Sequence, residues 1–138
     1  DINFLLPWVT SSSHFMAFDF KSMYHQLSVA PPFRKFLGFA VPSPDGCTES
    51  YYVSTVLPFG LNDAVHIMFR LCAPVKLFIR SLAIKFCLYI DDGLLVHDCA
   101  RHTPEVFALV LRYFQLAGWR LNLEKTSTSH HLESMGIV

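Results

Sequence analysis

The chain has 138 residues and 15.7 kDa, is 52% hydrophobic, 16% charged and 14% aromatic, and balances 11 Lys+Arg against 11 Asp+Glu. That length suits one domain, and that apolar content excludes a disordered tail or a low-complexity linker, which could not bury enough surface to offset chain entropy. The zero formal charge excludes a protein that wraps nucleic acid by bulk charge, so any such partner has to be held locally.

The opening Asp1-Ile2-Asn3 has neither a methionine nor a basic segment ahead of an apolar one, so the chain reads as a piece of something larger with no secretory signal. Residues 14–20 (HFMAFDF) predict a strand with Asp19 near its end. Pro31-Pro32 then stops the chain. Residues 34–41 and 50–56 are both β-like, and the turn-rich VPSPDGCTE between them makes the pair a hairpin with a long loop. Pro58-Phe59-Gly60 is a second break. From Asn62 the period changes: Ala64, Ile67, Met68, Leu71, Val75, Phe78 and Leu82 recur at three- and four-residue steps and predict an amphipathic helix. Pro74 inside that pattern predicts a kink or a break near Ala73.

Residues 84–90 and 93–96 are apolar and flank Asp91-Asp92, a β-hairpin pattern with the carboxylates at its tip. Thr103-Pro104-Glu105 opens another helix with Thr as N-cap and Pro at the first helical position. Phe107, Leu111 and Phe114 give it an apolar face, and Gly118 suits its C-terminus. Residues 119–123 and 132–138 are weaker strand candidates. The sum is an α+β domain, an antiparallel sheet with helices packed on one face. No apolar run reaches the roughly 18 residues that a membrane span requires, so no membrane partner is expected.

Cys47, Cys72, Cys87 and Cys99 are irregularly spaced without a C-x-x-C pair, which points to buried free thiols in a reducing, intracellular setting, cytoplasmic or nuclear. His97, Cys99, His102 and His130-His131 match no zinc spacing and read as solvated loop residues. Asp91-Asp92 is different. Adjacent carboxylates disfavour joint ionisation, a divalent cation removes that penalty, and Asp19, costly to bury alone in an apolar run, could complete the site. Taken alone, these residues favour the plainer reading, Asp92-Gly93 as a turn and Asp19 as a cap, because Asp-Gly turns are common.

The surrounding motifs carry a family resemblance. Phe18-Asp19-Phe20-Lys21-Ser22-Met23-Tyr24-His25-Gln26-Leu27 resembles the first catalytic motif of retroelement reverse transcriptases. Phe33-Arg34-Lys35-Phe36-Leu37-Gly38-Phe39, the run from Tyr52 to Val56, and Leu57-Pro58-Phe59-Gly60-Leu61 resemble their next blocks. Tyr89-Ile90-Asp91-Asp92 is similar to the Y-x-D-D box, Leu123-Glu124-Lys125-Thr126 to the lysine-bearing block, and residues 132–138 to the start of the primer-contacting segment. The blocks keep family order and spacing, and their wording is most similar to DIRS-type and gypsy-like retrotransposons.

The resemblance implies an RNA-directed DNA polymerase palm with part of the fingers over residues 1–138, the thumb and ribonuclease H belonging to the rest of a polyprotein. It implies Asp19, Asp91, Asp92 and Lys125 as catalytic residues, the three acids with the Phe20 backbone holding two Mg²⁺ that Mn²⁺ could replace. Phe20, Lys21, Tyr24, Phe59 and Gly60 would meet the deoxynucleoside triphosphate, Tyr24 excluding a 2′-hydroxyl. Arg34, Lys35, Tyr89, Met135 and Gly136 would touch an RNA or DNA template with its primer. Val65 stands where the family has proline, and Met23 where a small residue is common. The alternative expectation is a non-catalytic transposon remnant, or a domesticated module that binds nucleic acid or protein.

Overall fold

The computed structural model describes residues 6–129; the strand expected over 132–138, His130-His131, Met135 and Gly136 lie outside them. In chain order the elements are β1 (His14–Phe20), α1 (Pro31–Arg34), β2 (Gly38–Pro42), β3 (Glu49–Val53), α2 (Ala64–Ser81), β4 (Lys85–Tyr89), β5 (Asp92–His97), α3 (Thr103–Leu116) and β6 (Leu121–Ser129). The chain is α+β and divides into two compact units. One comprises the residues up to Lys21 and those from Met68 onward; the other is Ser22–Ile67.

The first unit is built on an antiparallel sheet of order β4-β5-β1-β6. Alternation along β1 sends Met16, Phe18 and Phe20 to one face, where all three are buried. Phe18 there lies 6.1 Å from Phe86, 6.0 Å from Phe107 and 5.6 Å from Phe114, while Phe20 lies 5.3 Å from Phe114 and 5.5 Å from Trp119. Each such ring removed from water stabilises the fold by about 1.5–3 kcal/mol, so this aromatic layer is its main anchor. On the other face Phe15 packs with Cys87, Leu94 and Val96, with Val9 and Ala17 against them.

Helix α3 supplies Phe107 and Phe114, and its buried stripe is Thr103, Phe107, Val110 and Phe114. Val110 takes the inward place expected for Leu111, which is half-buried; both stand at three- and four-residue steps between Phe107 and Phe114, and the buried stripe runs on the Val110 side. The N-cap position falls on His102, one residue ahead of Thr103, whose Oγ1 donates to the Cys99 carbonyl at 2.7 Å. Gly118, at φ 91°, ends the helix in the left-handed region with its N–H donating to the Gln115 carbonyl.

Helix α2 is continuous through Pro74, so the break expected near Ala73 does not occur. Pro74 faces solvent, where the unpartnered helix carbonyl can meet water, while Met68, Cys72 and Ile79 bury the opposite face on both sides of it. Val65 is the second residue of the helix, a position whose N–H has no intrahelical acceptor, so this place suits the family's proline and a valine alike. Burial raises the thiol of Cys72 to about 12 and also raises that of Cys87. Cys47 is exposed and Cys99 half-buried, so the expectation of buried thiols holds for two of the four. Among the described residues no helix is long and apolar enough to cross a membrane.

In the second unit β2 and β3 pair antiparallel from Gly38↔Val53 to Pro42↔Glu49. The hairpin is shorter than the sequence predicts because Pro31-Pro32 start the helix α1 rather than stopping the chain: their fixed φ suits a first helical turn, and they carry Arg34 into it. Every residue of β2 and β3 is exposed.

Candidate active site

The carboxylates come together through strand register. Asp19, at the end of β1, is the cross-strand partner of Asp92, the first residue of β5, which places both on the face opposite the aromatic layer. The β4–β5 hairpin closes with Tyr89 opposite Asp92, so its turn is Ile90-Asp91. Asp92-Gly93 thus belongs to the strand, which corrects the plain-turn reading by one residue. Ile90 holds φ 54°, a left-handed conformation that a β-branched residue adopts only under constraint. The Phe20 N–H donates to the Asp91 carbonyl at 3.1 Å and the Lys21 N–H to the Arg120 carbonyl at 3.0 Å. These bonds tie the end of β1 to the turn and to β6.

Gly93 explains why this sequence reads Asp-Asp-Gly. It sits opposite Phe18, and a Cβ at that position would lie 2.3 Å from two atoms of the Phe18 ring. The glycine lets the ring at the centre of the aromatic layer lie flat under the carboxylates. Neither this contact nor the Ile90 conformation was visible as a site feature in the sequence; the signal for the first was an aromatic in the register position opposite a strand glycine.

Lys125 arrives through an irregularity. β6 pairs with β1 at Ala17↔Ser127 and again at Asp19↔Asn122, so the single residue Phe18 lies opposite residues 123–126. This bulge brings the Lys125 Nζ to 3.2 Å from the Asp19 Oδ2, the lysine side chain 69% exposed and the aspartate 18%. Asp92 holds its proton more tightly than an ordinary carboxyl: partial burial is the first cause, the charges of Asp91 and Asp19 add to it, and Lys125 opposes them. Asp92 is exposed as a residue, so the burial is partial, and the negative charge of its neighbours adds to it.

Hard carboxylate oxygens carrying an excess of negative charge are the donor set that divalent cations such as Mg²⁺ take, and Asp19, Asp91 and Asp92 fit that chemistry. As the side chains stand, no three Asp, Glu, His or Cys residues among those described converge into a ligand group. Asp19 instead engages Lys125. His97, Cys99 and His102 are likewise local: the Cys99 N–H donates to His97 Nδ1 at 3.2 Å and Cys99 Sγ lies 3.5 Å from His102 Nδ1.

The nucleotide residues expected in the second unit meet there. Tyr24 is buried in a short 3₁₀ turn, and its ring stands edge-on to Phe59 with centroids 4.9 Å apart, His25 flanking Phe59 at 5.1 Å. Met23 is buried beside it, so its bulk points inward. Gly60 follows at φ 84°, and Phe59 is 61% exposed. Arg34 Nε donates to the Val29 carbonyl at 2.8 Å, and Lys35 lies over the Phe36 ring at 5.1 Å. Tyr89 and Lys21, both exposed, belong to the first unit.

Against known proteins, residues 8–138 match the family described as Reverse transcriptase (RNA-dependent DNA polymerase). No curated protein matches the chain.

Proposed function

Since the chain belongs to the reverse transcriptase (RNA-dependent DNA polymerase) family, we propose that it is the palm of such a polymerase, with part of its fingers, drawn from a retrotransposon polyprotein. The observation that carries this reading is the register pairing of Asp19 with Asp92, with Asp91 on the adjoining turn and Lys125 against Asp19. Asp19, Asp91, Asp92 and the Phe20 carbonyl would hold two Mg²⁺, or Mn²⁺ in their place. Bound there, the ions supply acidification of a primer 3′-hydroxyl and charge neutralisation on the transferring phosphoryl group and pyrophosphate.

The chain's own residues do the rest. The sheet register holds the backbones of Asp19 and Asp92 side by side, with Asp91 on the adjoining turn, so the three carboxylates are neighbours before substrate arrives. Lys125 carries a proton on Nζ that the departing pyrophosphate can accept. By the family resemblance, Tyr24 is assigned to the deoxyribose, Phe59 and Gly60 to the base side, and Arg34, Lys35 and Tyr89 to template and primer. With no net charge, the chain's grip on a template is weak and falls with salt.

The test is primer extension on an RNA template with deoxynucleotides, in Mg²⁺ and Mn²⁺, with Asp91→Asn alongside and circular dichroism to verify folding. Incorporation that Asp91→Asn loses supports the proposal. No incorporation from a folded chain overturns independent catalysis and favours a non-catalytic module.

A further inference from the structure

The Lys125–Asp19 pair is more than a catalytic lysine near its site. Asp19 lies on β1, an inner strand paired on both sides, and its side chain is only 18% exposed. Lys125 lies on β6, the outermost strand, at a bulge, with its side chain 69% exposed. The carboxylate is therefore the fixed partner and the ammonium the movable one. Lys125 pairs with one acid of a cluster whose other charges raise the proton affinity of Asp92, and with that pair in place no three acids among the described residues form a ligand group.

We infer that Lys125 is a resident counter-ion of the carboxylate cluster, holding Asp19 until a divalent cation displaces it. The inference rests on the metal assignment proposed above. A cation that binds all three carboxylates competes with one ammonium for one of them, and the ammonium loses because its charge is smaller and its other side already faces water. Displacement frees Nζ beside the loaded cluster. Loading of the cation and availability of the lysine proton thus become one event.

Binding of Mn²⁺, followed by the loss of the free-ion electron paramagnetic resonance signal, tests this without turnover. The proteins are the parent chain, Lys125→Gln, Lys125→Arg and Asp91→Asn, each verified as folded by circular dichroism. Lys125→Gln removes the competitor and is expected to bind Mn²⁺ about threefold more tightly, the scale of an ion pair with one exposed partner. Lys125→Arg keeps the charge and is expected to stay close to the parent. Equal or weaker binding by Lys125→Gln, with Asp91→Asn clearly weakened, overturns the counter-ion role and leaves the metal assignment standing. No binding by the parent, or binding that Asp91→Asn does not weaken, overturns the metal assignment and this inference with it.

Discussion

The sheet of the first unit and the hairpin of the second use aromatic residues in opposite ways. In the first, Phe18, Phe20, Phe86 and Phe114 are each at most 2% exposed and pack ring against ring beneath the carboxylate-bearing strands. In the second, Phe39, Tyr51 and Tyr52 of the β2–β3 hairpin are 51%, 79% and 53% exposed, with Phe39 and Tyr52 stacked on each other at 5.7 Å. The difference is one of neighbours rather than composition. β1 has a strand on each side and α3 packed against it, whereas among the described residues β2 and β3 pair only with each other, and a two-stranded ribbon by itself is marginally stable at best. Asp19 and Asp92, two of the acids proposed to hold metal, sit on strands of the packed sheet.

The comparison breaks most visibly at Phe18. Phe18→Ala is expected to cost about 3–5 kcal/mol, because it empties the centre of the aromatic layer, while Tyr52→Ala on the exposed hairpin stays within about 1 kcal/mol. Urea unfolding followed by circular dichroism measures both, and comparable losses would refute the division of labour. Gly93→Ala comes next, at about 1–3 kcal/mol, since the new Cβ meets a ring that has no room to yield. Phe18→Leu made in the Gly93→Ala background should lose less than the two changes made separately, which identifies the ring as the obstacle. Additive losses would place the strain of Gly93→Ala elsewhere.

These cases also show how much the sequence could carry. The strand over residues 14–20, the helix opening at 103 and the Asp-Asp hairpin were legible because each couples an apolar period to its own turn residues. The turn falls at Ile90-Asp91, one residue earlier than the sequence pattern puts it, because Asp-Gly is a strong turn signal and the Phe18 ring is what requires glycine within the strand. At Pro74 local chemistry argues for a break, but burial of Met68, Cys72 and Ile79 holds both halves of α2 in line. The Lys125–Asp19 pair depends on a bulge between strands about a hundred residues apart in sequence, and no local pattern encodes it.

The exposed hairpin sharpens the contrast from the other side. Replacing Tyr51 and Tyr52 by Ser removes apolar surface without emptying a core, so the unfolding free energy should stay within about 1 kcal/mol of the parent. Association should fall, because contiguous exposed apolar patches on an unprotected ribbon invite pairing between copies. Sedimentation at tens of micromolar reads this directly. A parent chain that is already a clean monomer would show that these aromatics are no liability.

The smallest effects concern two carboxylates of β5 and its exit, and here the sign matters more than the size. Asp92 has its proton affinity raised by burial and by Asp91 and Asp19, so ionising it costs the folded state. Asp92→Asn should therefore stabilise the fold at pH 7, and the gain should vanish as the pH falls below 3.8, where aspartate is protonated folded or unfolded. Asp98 is the reverse: hydrogen bonds from Lys85 and Ser13 hold its carboxyl below the ordinary value. Asp98→Asn should destabilise at pH 7, and that loss should shrink as the pH falls through the lowered value of the folded state and the parent loses the same charge. Each difference stays within about 1 kcal/mol, because both residues are largely exposed. Thermal unfolding from pH 3 to pH 7 tests the pair. Opposite signs at neutral pH that converge in acid are what distinguish a carboxylate kept for chemistry from one kept for structure; the same sign for both would remove that distinction.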